Sequence, residues 1–389
     1  MRVTSARATS PRLAIATGCL AILLAACTAP GASTRPTPEG SSPAAAAPSA
    51  PAPSASDAIP PWPSALPSAG PASGIPAGGS WAALAVTGPA PAAREDHTWT
   101  VDPGSGLVYL FGGRDGGRSF DDLWTFDPVT TTWSELAPAG PAPAARFGHE
   151  AAWAPGVGLV ITLGQAGARF FDDVWLFDPE AASWRELPGK GERPVARYGS
   201  CSGIGPDGRL WISHGFTEDG SRFFDTRAYD FDAGSWSDET PADLQPVERC
   251  LHTCWWTSAG DFMLYGGQTT GVAALGDLWA LEGPQPGRAG TWRKLDKPAL
   301  AARQLPAIAR RGAVTVVFGG RDIDRQPLGD TWLLPDPGGP EITRLAIDGG
   351  SPAPRSGAAL VHDEARDRML LFGGLGDEAI NDVWELSFD

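Results

Sequence analysis

Arg146-Phe-Gly-His149-Glu-Ala-Ala-Trp153, then the apolar run Leu159-Val-Ile-Thr-Leu-Gly164, then Asp172-Asp173-Val-Trp175, is one unit of a pattern that fills most of this 389-residue chain. An arginine opens a short strand, an apolar run ends at glycine, and Asp-x-Trp opens a third strand. The opening arginines are Arg94, Arg146, Arg197, Arg249, Arg303 and Arg355, at intervals of 52, 51, 52, 54 and 52 residues. Repeats of this length, strand-like and with almost no helical periodicity, predict a radial array in which each repeat is one small sheet.

The first strand of a unit reverses at tight turns such as Pro155-Gly-Val-Gly158 or Pro206-Asp-Gly208. The second is wholly apolar, as in Leu107 to Phe111, Phe262 to Tyr265, Val314 to Phe318 and Leu370 to Phe372, each followed by two glycines. Uninterrupted apolar runs this short predict strands buried on both faces. The third strand carries Asp122-x-Trp124, Asp173-x-Trp175, Asp277-x-Trp279, Asp330-x-Trp332 and Asp382-x-Trp384; the third repeat has Thr226-Arg-Ala-Tyr229 in that register. The fourth is Trp-x-x-Leu at Trp133, Trp184 and Trp292, keeps Trp236 in the third repeat and weakens to Ile342 to Leu345 in the fifth. The sixth repeat reaches Asp389 with no fourth strand, while Trp81-Ala-Ala-Leu84 precedes the first arginine. Docking that strand on the last sheet is predicted to close the ring and remove its free edge.

Residues 1–26 carry Arg2, Arg7 and Arg12 and then an apolar stretch, Leu13 to Ala26, too short to span a bilayer as a mature helix. They read as a signal peptide. Leu24-Ala25-Ala26-Cys27 resembles the bacterial lipobox, which implies a lipid on Cys27 as the mature N-terminus, with Cys19 the weaker competitor. Residues 27–79 collapse to Pro, Ala, Ser and Gly, charged only at Arg35, Glu39 and Asp57, and are expected to form an extended tether. Residues 80–389 hold 26 basic and 43 acidic side chains, a net charge of −17, which argues against nucleic acid as a partner. Three cysteines remain there, and outside the cytoplasm a disulfide is permitted. Cys201 and Cys254 follow their repeat arginines by four and five residues, so a Cys201–Cys254 bridge is expected, with Cys201–Cys250 the close alternative.

The glycine pairs, the aromatic residues behind them and openings such as Pro143-x-x-Arg146-x-Gly-His149 resemble the kelch-repeat β-propeller family over residues 80–389. The resemblance implies an all-β, six-bladed kelch-type propeller. It implies little about function, because such propellers include enzymes, sugar-binding modules and protein-interaction platforms. Gln165 and Phe216 stand where the second glycine is expected in repeats two and three.

The six arginines are expected to ring one mouth of the central channel, as candidate anion-binding groups or as ties holding each blade through carbonyls and the third-strand aspartates. His97, His149 and His252 each follow a repeat arginine by three residues, so their spacing belongs to the repeat and no metal site is read from them. The family's copper oxidase uses histidines and two tyrosines; here Tyr109, Tyr198, Tyr229 and Tyr265 all sit at core or repeat positions, and no cofactor is expected. No Gly-x-Ser-x-Gly elbow, phosphate-binding loop or His-Glu-x-x-His is present. Loops between second and third strands vary most and share a face with the arginine openings, making that face the expected binding surface. Glu218, Asp219 and Arg222, in one such loop, are the charged cluster without repeat counterparts. The reading is therefore an exported, lipid-anchored, monomeric module binding a protein or glycan. The alternatives are an enzyme on acidic sugars, since a bacterial sialic-acid mutarotase resembles this plan, and a structural envelope spacer. A carboxylate and an arginine without repeat counterparts, converging at the channel mouth, would separate enzyme from binder.

Overall fold

The computed structural model describes residues 74–284, 288–296 and 300–389. The expected signal peptide, Cys27 and the tether up to residue 73 lie outside them. Six four-stranded antiparallel sheets follow in chain order, and no α-helix occurs among the described residues. Blade 2 shows the plan: Glu150–Ala154 innermost, then Gly158–Thr162, Val174–Asp178 and Ser183–Leu187 outermost. The second strands are buried along their length because both faces meet neighbouring blades, which is why they read as apolar without alternation. The fifth blade keeps the plan with a short outer strand, Thr343–Arg344, flanked by buried Ile342 and Leu345.

The ring closes as the sequence predicts. Gly78–Ala83 forms the outer strand of blade 6, antiparallel to Val383–Phe388, in the register Gly79 opposite Phe388 to Ala83 opposite Trp384. Trp81 packs 5.2 Å from Phe318 and donates its Nε1–H to Thr331 Oγ1 at 3.1 Å, tying the closing strand to blade 5. The chain enters beside the turns of blades 5 and 6, where Arg311 Nη1 donates to the Gly74 carbonyl. That end of the blades is opposite the loop-bearing face.

The glycine pair is phased differently from expectation in blades 2 and 3. Gly164 and Gly215 hold the second place, and the first is taken by Leu163 and His214, left-handed at φ 62° and 57°. The second place excludes any side chain, because a Cβ there would lie 2.4 to 2.9 Å from atoms of the inner strand in all six blades. Gln165 and Phe216 come one residue later and bridge to Phe147 and Tyr198. In blade 3, Arg227 occupies the tryptophan position. Its Nε donates to Asp225 Oδ2 at 3.0 Å, as the five indole N–H groups donate to their own aspartates at 2.6 to 2.9 Å.

Candidate functional site at the channel mouth

The six opening arginines are at most 1% exposed and fully engaged. Each makes a two-pronged pair with the aspartate opening its third strand, Asp122, Asp173, Asp225, Asp277, Asp330 or Asp382, with Nη1–Oδ1 distances of 2.5 to 2.8 Å. Nε donates to the carbonyl two residues earlier and Nη1 to the carbonyl of the left-handed residue at the end of the second strand, as in Arg94 to Ala92 and Gly112 at 2.9 Å each. Burial alone would raise these carboxyls. The arginine hydrogen bonds and charge outweigh it and hold Asp122, Asp173, Asp225, Asp277 and Asp330 below the usual range. This corrects the candidacy of Arg94, Arg146, Arg197, Arg249, Arg303 and Arg355 as ligand groups: with the guanidinium already paired and shielded, none offers a donor to an incoming anion.

One layer inward, the second residue after each arginine is left-handed: Asp96, Gly148, Gly199, Leu251, Leu305 and Gly357. The turn aims each N–H at the same carbonyl of the preceding blade, giving a closed circle of six hydrogen bonds of 2.7 to 3.3 Å, the last from Asp96 N–H to Gly357 O. The ring is thus fastened at its axis as well as at its rim.

Between these two uniform layers lie the residues immediately after the arginines, and they all differ: Glu95, Phe147, Tyr198, Cys250, Gln304 and Ser356. Each bridges to the first residue of its second-to-third-strand loop: Arg114, Gln165, Phe216, Gln268, Arg321 and Leu375. Here a carboxylate without a repeat counterpart, Glu95, converges with an arginine that is matched only by Arg321 of blade 5. Glu95 Oε1 accepts from Arg114 Nε at 3.1 Å, and Asp96 Oδ2 accepts from Arg114 Nη2 at 3.0 Å and from the Tyr198 hydroxyl at 3.0 Å. The Arg114 guanidinium lies 4.3 Å over the Phe147 ring. Tyr198 reaches Asp96 from blade 3 across blade 2, possible only because Gly148 has no Cβ; one would sit 1.8 Å from the ring. Burial, then the charge of Asp96, lifts Glu95 to about 7 against the pull of Arg114 and Arg321. Glu95 Oε2, Asp96 Oδ1 and Ser356 Oγ are buried with no hydrogen-bond partner. The adjoining part of the mouth, over blades 2 and 3, is aromatic, with Tyr198 5.1 Å from Phe216 and 5.4 Å from Phe147.

Below this quartet the channel narrows to a cavity of about 140 Å³. Glu150, which faces it, is raised to about 8 by burial. The histidines are held in the seams between blades: His97 packs edge-on to Phe372, His149 to Phe111 and His252 to His214. Burial holds His97 down to about 3 and His149, His214 and His252 well below the usual range. Cys201 and Cys254 form a disulfide between the inner strands of blades 3 and 4, with Cα atoms 5.6 Å apart, and Cys250 is a buried free thiol.

The expected cluster in blade 3 does not converge. Glu218 and Asp219 are exposed, Asp219 caps the Ser221 N–H at 2.8 Å, and Arg222 reaches Thr270 of the next loop at 3.2 Å. The face around it is nonetheless distinctive. Among the described residues, six of the seven exposed large apolar side chains lie there: Val195, Phe224, Leu244, Val247, Val272 and Ile323, 42 to 62% exposed, in an arc over blades 3 to 5. The seventh, Val129, is on the turn face.

A model of the KLHDC2/KLHL20/DRC7 Kelch-repeats domain matches residues 77–212. The chain carries the kelch repeat. The propeller is 35% identical over 121 residues to acyl-CoA-binding domain-containing protein 5 of Arabidopsis thaliana, covering 31% of this chain and 18% of that protein. It is 27% identical over 255 residues to the F-box/kelch-repeat protein At1g51550 of the same plant, covering 59% and 52%. It is 38% identical over 97 residues to the mouse Rab9 effector protein with kelch motifs, covering 24% and 25%. The kelch chain therefore spans from under a fifth to about half of these relatives.

Proposed function

We propose that this kelch propeller is a non-catalytic interaction module that takes a protein partner on its loop face. The observation that carries the reading is the apolar arc over blades 3 to 5, which is the kind of exposed patch that marks an interaction surface. The aromatic half of the mouth, continuous with it, supplies anchors of the type that dominate binding energy. The kelch relatives, among them a protein whose name makes it an effector, support an interaction role. The N-terminal 79 residues fit an exported, lipid-anchored form in which Cys27 and the Pro/Ala/Ser tether hold the module at the cell envelope. A photo-crosslinking residue at Phe224 should then capture a discrete partner in the native envelope while one at Val129 does not; equal capture at both sites, or none at Phe224, overturns the assignment.

The acidic-sugar reading rests on a different observation. Glu95, lifted to about 7, lies beside Arg114 and within the field of Arg321, so a carboxyl able to hold or release a proton near neutrality stands next to guanidiniums suited to a sugar carboxylate. Anomer exchange of acidic sugars followed by NMR tests it. Acceleration by the protein that Glu95→Gln abolishes would replace the binding reading with a catalytic one.

A further inference from the structure

The outer rim is treated unequally around the ring. Ahead of blades 1, 2, 3 and 6 the incoming linker lies parallel against the outer strand: Thr87 opposite Thr132, Ala139 opposite Ser183, Lys190–Gly191 along Ser235–Trp236, and Ala346–Ile347 along Gly78–Gly79. Ahead of blades 4 and 5 the linker makes no such pairing among the described residues, and within them the outer strand Thr291–Leu295 of blade 4 keeps an open backbone edge. One residue sets apart the strand that feeds the blade 4 linker. Glu239 stands where the other blades have the leucine of Trp-x-x-Leu, at Leu84, Leu136, Leu187, Leu295 and Leu345. Its carboxylate turns inward to Arg209 Nη1 at 2.5 Å.

What remains is a groove of about 480 Å³ lined by Arg209, Asp230, Ser237, Asp238, Glu239 and Ala289. That volume falls within the range of ligand sites. Asp230 and Glu239 face the Arg209 guanidinium on the side of the sheet that carries Ser235 and Ser237, one Asp230 oxygen accepting the Ala233 N–H at 2.9 Å, while Asp238 turns to the other side and pairs with Arg227 at 3.2 Å. Arg209 is 9% exposed; its Nε is held by Asp207 at 2.7 Å, and its Nη2 has no hydrogen-bond partner. A buried donor left without an acceptor is costly, and a carbonyl supplied from outside would satisfy it.

We propose that this groove receives an extended, lysine- or arginine-bearing peptide segment of a partner, laid along the open edge of Thr291–Leu295. Strand addition supplies the backbone hydrogen bonds that the linkers supply elsewhere on the rim. A peptide carbonyl meets Arg209 Nη2, and a cationic side chain meets Asp230. The site is on the rim, away from the loop face, and stands or falls independently of the function proposed above.

The probe is acetyl-Val-Lys-Val-Lys-Val-amide against the folded propeller, with acetyl-Val-Glu-Val-Glu-Val-amide as its charge-reversed control. We expect saturable binding of the lysine peptide alone, with slowed amide exchange confined to residues 291–295. Arg209→Leu/Glu239→Leu, which installs the leucine found at the Glu239 position in the sister blades, should weaken binding at least tenfold, while Phe224→Asp on the loop face should leave it unchanged. Should the double variant fail to fold, Asp230→Asn carries the same expectation of weakened binding. No binding, equal binding of both peptides, protection elsewhere, or binding indifferent to these groove variants each overturns the proposal.

Discussion

Two sets of side chains one residue apart in the sequence behave in opposite ways. The arginine that opens each blade is the same in all six, buried, and paired to its own aspartate with nearly invariant geometry. The next residue is different in every blade, and it lines the mouth. Where a position must perform the same mechanical task six times, the repeat enforces one solution. Where it faces the axis, the six copies are free to diverge, and their sum is an asymmetric surface: acidic and cationic at Glu95, Asp96 and Arg114, aromatic at Phe147, Tyr198 and Phe216. Chemistry in this molecule is written in departures from the repeat.

The comparison breaks if the arginines are not equivalent. Replacing Arg146 or Arg249 by alanine leaves a largely buried carboxylate, Asp173 or Asp277, without its cation and should cost about 3–5 kcal/mol in either blade, measured by denaturant unfolding. A loss that varies strongly between blades would mean that the uniform geometry hides unequal roles. The disulfide is the next largest effect. Cys201→Ser/Cys254→Ser opens a loop closed over a sequence separation of 53 and should cost about 4 kcal/mol on the chain-entropy estimate, read as a fall in the unfolding midpoint insensitive to reductant.

Acid sharpens the contrast between seam and mouth. The seam histidines have folded pKa values below their unfolded one, His97 at about 3, so their stabilising contribution is complete above about pH 6.5 and is lost as pH falls. Each costs about 1.4 kcal/mol per pH unit over its titration window. Glu95 and Glu150, raised to about 7 and 8, act with the opposite sign: their contribution is present below about pH 4.5 and lost as pH rises through those values. Unfolding between pH 4 and 9 should therefore show the histidines' loss on the acid side opposed by the two carboxyls from about pH 4.5 upward, with Glu95→Gln removing the part of that opposition that lies between about pH 4.5 and 7. The smallest effect belongs to Tyr198→Phe, which deletes one hydrogen bond to Asp96 and should cost about 1 kcal/mol in unfolding while altering loop-face binding.

The repeat made the fold readable. Six arginines at a near-constant interval, fully apolar second strands and an unclaimed Trp81 segment carried the blade count and the closure. The same periodicity hid the site. The Asp96–Tyr198 contact joins blades 1 and 3 at a separation of 102 residues, and nothing in either local sequence points to the other. Glu218, Asp219 and Arg222 drew notice because they were adjacent in the chain, yet solvent takes most of that loop. The glycine pair misled by one position because a left-handed residue costs only about 1–3 kcal/mol, which Leu163 and His214 sustain, whereas a Cβ at the second place would overlap the neighbouring strand. Arg227 was hidden by its dissimilarity to tryptophan, although both offer the one N–H that the aspartate needs.

The strand Gly78–Ala83 has a consequence beyond closing a circle. Anything that pulls on the chain ahead of Gly74 delivers its load to the turn end of that strand, where its antiparallel pairing with Val383–Phe388 starts at Gly79 and Phe388. Drawn from that end, the register opens pair by pair, like a zip, and the part that yields first is the clasp between the chain's two termini. The other five blades keep all four of their strands under that tension, so the propeller has a built-in mechanical fuse where the chain enters it, on the face turned away from the loops.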